Sequence, residues 1–172
     1  MSAVNHEVSS AGERTRTYDW ADPIVLATAA TTMSGLEFLR AIGAGELPPP
    51  PVMATTGITA VEVSEGFVAF EVTPAEWHYN PIGSVHGGIL STLADSALAC
   101  AVHSTLPAGT GYTSLDLVMK FTRAATIDSG RLRCEGRVVT RGRRAATAEG
   151  RITDEQGRVI AHAVTTCLIM ES

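Results

Sequence analysis

The sequence predicts an α+β fold in which an antiparallel sheet wraps around one long central helix, at about 86–104, with further helices ahead of it. Three observations predict it. The stretch "GGILSTLADSALACAVH" is apolar nearly all round, so a helix there must be covered on most sides. Strand-like runs separated by glycine-containing turns lie on both sides of it and are the only available cover. A chain of 172 residues, 45% hydrophobic and 18% charged, has room for one such core and not for two.

Taken in order, residues 1–17 are polar and aperiodic and are expected to be a disordered tail without chemistry. Residues 18–52 read as an N-terminal helical extension. Asp22-Pro23 is a cap with proline in the first turn, Ser34 and Glu37 have capping-box spacing, and "GELPPPP" ends the region in an extended linker. The main domain is expected over 53–172. Its first strands, Ile58 to Ser64 and Phe67 to Thr73, turn at Glu65-Gly66, with Val68, Phe70 and Val72 on one face. After the long helix come strand-like runs near 112–122, 130–140, 143–153 and 158–169, divided by "DSG", "RG" and "DEQG". In the first of them Leu115, Leu117, Met119 and Phe121 alternate with Ser114, Asp116, Val118 and Lys120, a strand with one apolar face. No internal repeat and no second core appear.

The formal net charge of -5 argues against a general nucleic-acid binder. Cys100, Cys134 and Cys167 have no metal-ligand spacing, and buried free thiols of a cytoplasmic protein explain an odd count best. "MSAVNHEVSSAGERTRTYDW" lacks the apolar core of a secretory signal. Ile89 to Leu106 is almost long enough to span a bilayer but holds Asp95 and His103, so a buried helix is expected and no membrane partner.

Two features of the long helix bear on chemistry. Gly87 and Gly88 leave bare N–H groups at its start, where the helix dipole favours negative charge; they suit an oxyanion, or they make a tight turn and nothing more. Asp95 is a poor mid-helix residue among apolar neighbours, so it faces either solvent or a cleft that uses it. Eight residues at about 1.5 Å rise separate Gly87 from Asp95 by roughly 12 Å. If both serve one reacting carbon, they come from two chains of a symmetric dimer.

The pattern N-P-x-G-x-V-H-G-G-x-x-x-x-L-x-D-x-A, running from Asn80 through Ala97, resembles the signature of PaaI-type hotdog-fold acyl-CoA thioesterases. The resemblance extends over about 57 to 170, and "SGLEFLRAIGAGELPPPP" is similar to an N-terminal extension found in part of that family. It implies an acyl-CoA substrate hydrolysed without a metal or organic cofactor, by a homodimer or a dimer of dimers (a homotetramer). Gly87 would polarise the thioester carbonyl and Asp95 would act as nucleophile or as base for water. Asn80 would position the thioester or the water, and His86 would help to shape the turn. Thr113 or Ser114 would assist the water, the order "SLD" favouring Ser114.

Arg141, Arg143 and Arg144 in "TRGRRAATAEGR" form a basic turn that suits the phosphates of coenzyme A, the bland alternative being a solvated turn. His78, His103 and His162 lack ligand spacing and read as structural, and Cys100 has no activating partner beside it in sequence. A non-catalytic acyl-CoA-binding or sensing module is the competing reading, and an acyl-CoA hydratase on the same fold a weaker one. With aromatic residues at 5%, aryl and medium-chain acyl groups both stay open.

Overall fold

In the computed structural model, which describes Gly12 and residues 14–170, two short helices come first: α1 (Ile24–Ala30) and α2 (Gly35–Gly43). Their starts are set by local chemistry. The Asp22 carboxylate accepts the Ile24 N–H at 2.9 Å, and Ser34 and Glu37 close a reciprocal capping box. Of the segment expected to be a disordered tail, residues 1–11 and 13 lie outside the described residues. Within it, Arg14 pairs with Glu76 and Arg16 donates to the carbonyls of Ala54 and Thr55.

The proline-rich linker contains a helix that the sequence reading did not include. Pro50 is extended, and Pro51 then opens α3 (Pro51–Thr56), since a first-turn residue needs no N–H acceptor and proline's φ already suits a helix. Gly57, at φ 73°, ends it.

The hairpin of β1 (Thr59–Ser64) and β2 (Phe67–Val72) turns at Glu65-Gly66 as expected. There follow α4 (Gly87–His103), β3 (Gly111–Ser114), β4 (Val118–Phe121), β5 (Leu132–Arg141), β6 (Ala145–Thr153) and β7 (Val159–Met170). One antiparallel sheet holds all the strands in the order β1-β2-β5-β6-β7-β3, with β4 also on β7. The helix lies against β2, β5, β6 and β7. Leu93, Ala94, Ala97, Leu98, Ala101 and Val102 of α4 are fully enclosed there, together with Val68, Leu132, Ile152 and Ile160. Strand β5 crosses α4 so closely that a Cβ at Gly136 would strike the Ala97 carbonyl.

One expectation is corrected. The run near 112–122 is two short strands, because Asp116 takes over the ladder between them: its carbonyl accepts the Thr165 hydroxyl at 2.6 Å and its carboxylate accepts the Thr166 N–H at 2.9 Å. Of the apolar face of that run, Leu117 and Met119 pack against the core while Leu115 and Phe121 stay exposed. Leu115, Val118 and Phe121 are 60%, 56% and 53% exposed along the outer edge of the sheet. No helix among the described residues is long and apolar enough to cross a membrane.

Candidate active site

The start of α4 is held by the loop before it. Asn80 folds this loop around its own side chain, the amide oxygen accepting the N–H groups of Ile82 and Ser84, each at 3.1 Å, while its amide nitrogen donates to Ser84 Oγ at 3.0 Å. The His86 N–H donates to the His78 carbonyl at 2.7 Å, and the Val85 N–H to the Ala125 carbonyl at 2.8 Å. Tyr79 braces the far side by accepting the Ile127 N–H on its hydroxyl at 2.9 Å.

His86 is the N-cap, and its Nδ1 accepts the Gly88 N–H at 2.9 Å. That bond leaves the two glycines unequal. The Gly88 donor is occupied, whereas the Gly87 N–H has no protein acceptor among the described residues. Gly87 lines an open cleft with Asn80, Ser84, Leu90, Phe121 and Arg123. A Cβ at Gly87 would come within 3.2 Å of the Phe121 ring, so glycine keeps the approach to this donor clear. An N–H without a partner at the positive end of a seventeen-residue helix is a donor for an oxyanion.

Asp95 does not line that cleft. It is half-buried, two turns further along α4, and accepts the Ser114 hydroxyl on Oδ1 at 3.0 Å. Thr113, the other candidate, is on the opposite, exposed face of β3. Tyr112 shares the Ser114 face and hydrogen-bonds Cys100. Burial, aided by the nearby Asp95 charge, pushes the Cys100 thiol up to about 12, and burial chiefly raises the Tyr112 phenol. Both therefore stay protonated at neutral pH. Cys100 is no thiolate nucleophile here.

The sequence-predicted residues thus fall into two groups in one protomer: Asn80, His86 and Gly87 at the head of α4, and Asp95 with Ser114 midway along it. Arg141, Arg143 and Arg144 form a third. They sit at the exposed turn from β5 to β6, where Arg143 and Arg144 line a shallow cleft with Leu168, Ile169 and Met170. No ion pair engages these three arginines among the described residues. Phe121 and Arg123 at the Gly87 cleft escaped the sequence reading as site residues. Phe121 was read only as the end of an apolar strand face, and Arg123 only follows that run, in "KFTRAA".

His78 is structural, as expected: its Nδ1 accepts the Ala75 N–H at 3.1 Å and Nε2 meets the Thr56 carbonyl at 2.8 Å. Among the described residues no three or more His, Cys, Asp or Glu side chains are grouped to hold a metal ion.

The thioesterase superfamily matches residues 82–161, which span the head of α4, Asp95 and Ser114. No protein of curated function matches the chain. Among solved structures, the chain is similar to a phenylacetic acid degradation-related protein of Ralstonia eutropha, at 30% identity and a TM-score of 0.69 over 76% of this chain and 98% of the other. A variant of the phenylacetic acid degradation protein PaaI of Thermus thermophilus matches at 27% identity and a TM-score of 0.63, over 69% and 98%. The PaaI protein of the E. coli phenylacetic acid degradation operon shares the fold at 22% identity, with a TM-score of 0.69 over 82% and 98%.

Proposed function

The chain belongs to the thioesterase superfamily, as a PaaI-type hotdog thioesterase, and on that premise we propose that it hydrolyses acyl-CoA thioesters to the free acid and coenzyme A. The observation that carries the reading is the Gly87 N–H, which has no protein acceptor among the described residues and heads the helix that carries Asp95. The thioester oxygen sits on this donor. The helix dipole and the N–H stabilise the charge it gains when the carbonyl carbon is attacked.

Asp95 is the base, or the nucleophile. As a base it takes a proton from water while the water oxygen bonds to the carbonyl carbon; the tetrahedral oxyanion then collapses, the C–S bond breaks, and the proton passes to the departing thiolate. Ser114 holds Asp95 by its hydroxyl, Asn80 shapes the approach to the carbonyl, and His86 fixes the turn by occupying the Gly88 donor. Roughly 12 Å of helix separates Gly87 from Asp95 in one chain, so the site pairs Gly87 of one subunit with the partner subunit's Asp95. The exposed apolar edge at Leu115, Val118 and Phe121 supports a second copy there, as a homodimer or within a dimer of dimers. Arg141, Arg143 and Arg144 bind phosphates of coenzyme A. The setting is cytoplasmic.

Thiol release from a panel of acyl-CoA thioesters, aliphatic and aryl, tests this reading. Wild-type protein should release coenzyme A from at least one member, and Asp95→Asn should still bind that thioester while turning it over at least about a hundredfold more slowly. Binding without turnover by the wild type would make the protein an acyl-CoA-binding module.

A further inference from the structure

Two residues before Ser114, and on the same face of β3, Tyr112 stands with its ring 4.8 Å from that of His103, the last residue of α4. His103 is 9% exposed, and it also packs on Phe38 of α2, with ring centroids 5.4 Å apart. Burial lowers its pKa, so the imidazole is neutral at pH 7, with one nitrogen a donor and the other an acceptor. Neither nitrogen has a hydrogen-bond partner among the described residues, although no fully enclosed side-chain polar atom in them lacks one. The His103 nitrogens therefore open onto space. That space is a cleft of about 560 Å³ between α1 and the start of β3, mostly apolar, with Ala30 and Thr31 on one wall and Thr110, Gly111 and Tyr112 on the other.

We propose that this cleft receives the far end of the substrate's acyl group, a medium-length chain that carries a hydrogen-bonding group such as a hydroxyl at its tip, where His103 meets it. The proposal rests on the thioesterase reading above and narrows its substrate class. The cleft lies further along α4 from Asp95: Ser114, bonded to Asp95, and Tyr112, at the cleft, are two residues apart on one face of β3. From Asp95 to His103 the helix rises about 12 Å, the reach of an acyl chain of roughly eight to ten carbons. The walls suit an alkyl body, and a buried imidazole without a partner suits a polar tip. The roof is the N-terminal extension, which is firmly seated: the Gly35 N–H donates to the Leu106 carbonyl at 3.0 Å, and a Cβ at Gly35 would strike the His103 carbonyl. The extension is thereby a specificity element that closes the acyl end of the site.

Binding of S-alkyl-CoA thioethers to the full chain tests this, because they lack the carbonyl and report the cleft whether or not thioesters are hydrolysed. S-butyl-, S-decyl- and S-(10-hydroxydecyl)-CoA are compared by calorimetry on wild type, Thr31→Trp, Thr110→Trp and His103→Phe. Thr31 lies exposed on the rim, so an indole there fills the cleft without disturbing the core. Either tryptophan should weaken both long ligands by about tenfold or more and leave S-butyl-CoA within about twofold. His103→Phe should abolish a several-fold preference for the hydroxyl-tipped chain. Unchanged long-chain binding in both tryptophan variants overturns the cleft assignment, and an unchanged hydroxyl preference in His103→Phe overturns the polar tip. Chain-length-dependent binding without hydrolysis of the matching thioesters would keep the cleft and remove the thioesterase reading instead.

Discussion

The Ser114 hydroxyl donates to Asp95 Oδ1 at 3.0 Å, tying the first strand after α4 to the one carboxylate in that helix's interior. The bond fixes which oxygen of Asp95 is left free to face a water or a carbonyl carbon. Ser114 is thus a positioning residue. Ser114→Ala should lower kcat by roughly ten- to a hundredfold with little change in KM. Thr113→Ala, on the exposed face, should stay within about twofold of wild type. Equal losses in both variants would mean that β3 acts only through its packing.

The arginine turn gives a prediction of the opposite kinetic kind. Contacts far from the carbonyl hold substrate and transition state alike, so replacing Arg143 and Arg144 by Ala should raise KM for CoA thioesters by about tenfold and spare kcat. The same variants should lose the salt dependence of KM that a phosphate contact confers. An unchanged KM would mark the turn as a solvated surface and leave Arg123, at the Gly87 cleft, as the next phosphate contact to test.

These predictions draw on residues whose legibility in sequence was uneven. The helix was readable because a segment apolar on every side needs cover whatever its neighbours are, and the capping box because Ser34 and Glu37 are in contact within one turn. The break between β3 and β4 was not readable. Apolar alternation runs straight through it, and what interrupts the ladder is a contact between Asp116 and Thr165 and Thr166, some fifty positions away. The meeting of Tyr112, Cys100 and His103 was hidden for the same reason, since it depends on how β3 is registered against α4. Asp95 was conspicuous as a carboxylate in an apolar helix, but its partner was not, since that turned on Ser114 being inward and Thr113 outward. A shift of one residue in β3 would have reversed that choice.

Stability should fall on mild acidification because of two buried histidines. Burial holds the pKa of His78 and of His103 below the ordinary value; the Thr56 carbonyl works against this at His78, and the Arg16 charge adds to it. Each binds its proton more weakly in the folded chain than in the unfolded one. Their contribution is therefore complete above about pH 6.5 and is lost as pH falls through the folded values, at no more than about 1.4 kcal/mol per pH unit for each histidine. Thermal midpoints measured between pH 7.5 and 5 should decline, and His103→Phe should flatten part of the slope. An identical slope in that variant would remove His103 from the effect.

The interface geometry is open to a complementation test, because Asp95→Asn and a chain damaged at Gly87 should each be inactive alone and active when mixed. Gly87→Pro is the second chain, since proline deletes the N–H on which the oxyanion depends. The backbone accommodates it. Gly87 is the first residue of α4, where proline's φ is suitable, and His86 at ψ 136° already has the extended conformation that a residue before proline prefers. The ring would press on the tip of Phe121, which is 53% exposed and can turn aside. Circular dichroism and size exclusion on each variant, with subunit exchange followed by a tag on one chain, establish that mixed dimers form. Each mixed dimer then holds one site with both lesions and one with an intact Gly87 facing an intact Asp95, so about half of the wild-type activity per dimer should return. Verified mixed dimers that stay inactive would mean that Gly87 and Asp95 do not meet across the subunit boundary, and the two-chain site would have to be abandoned.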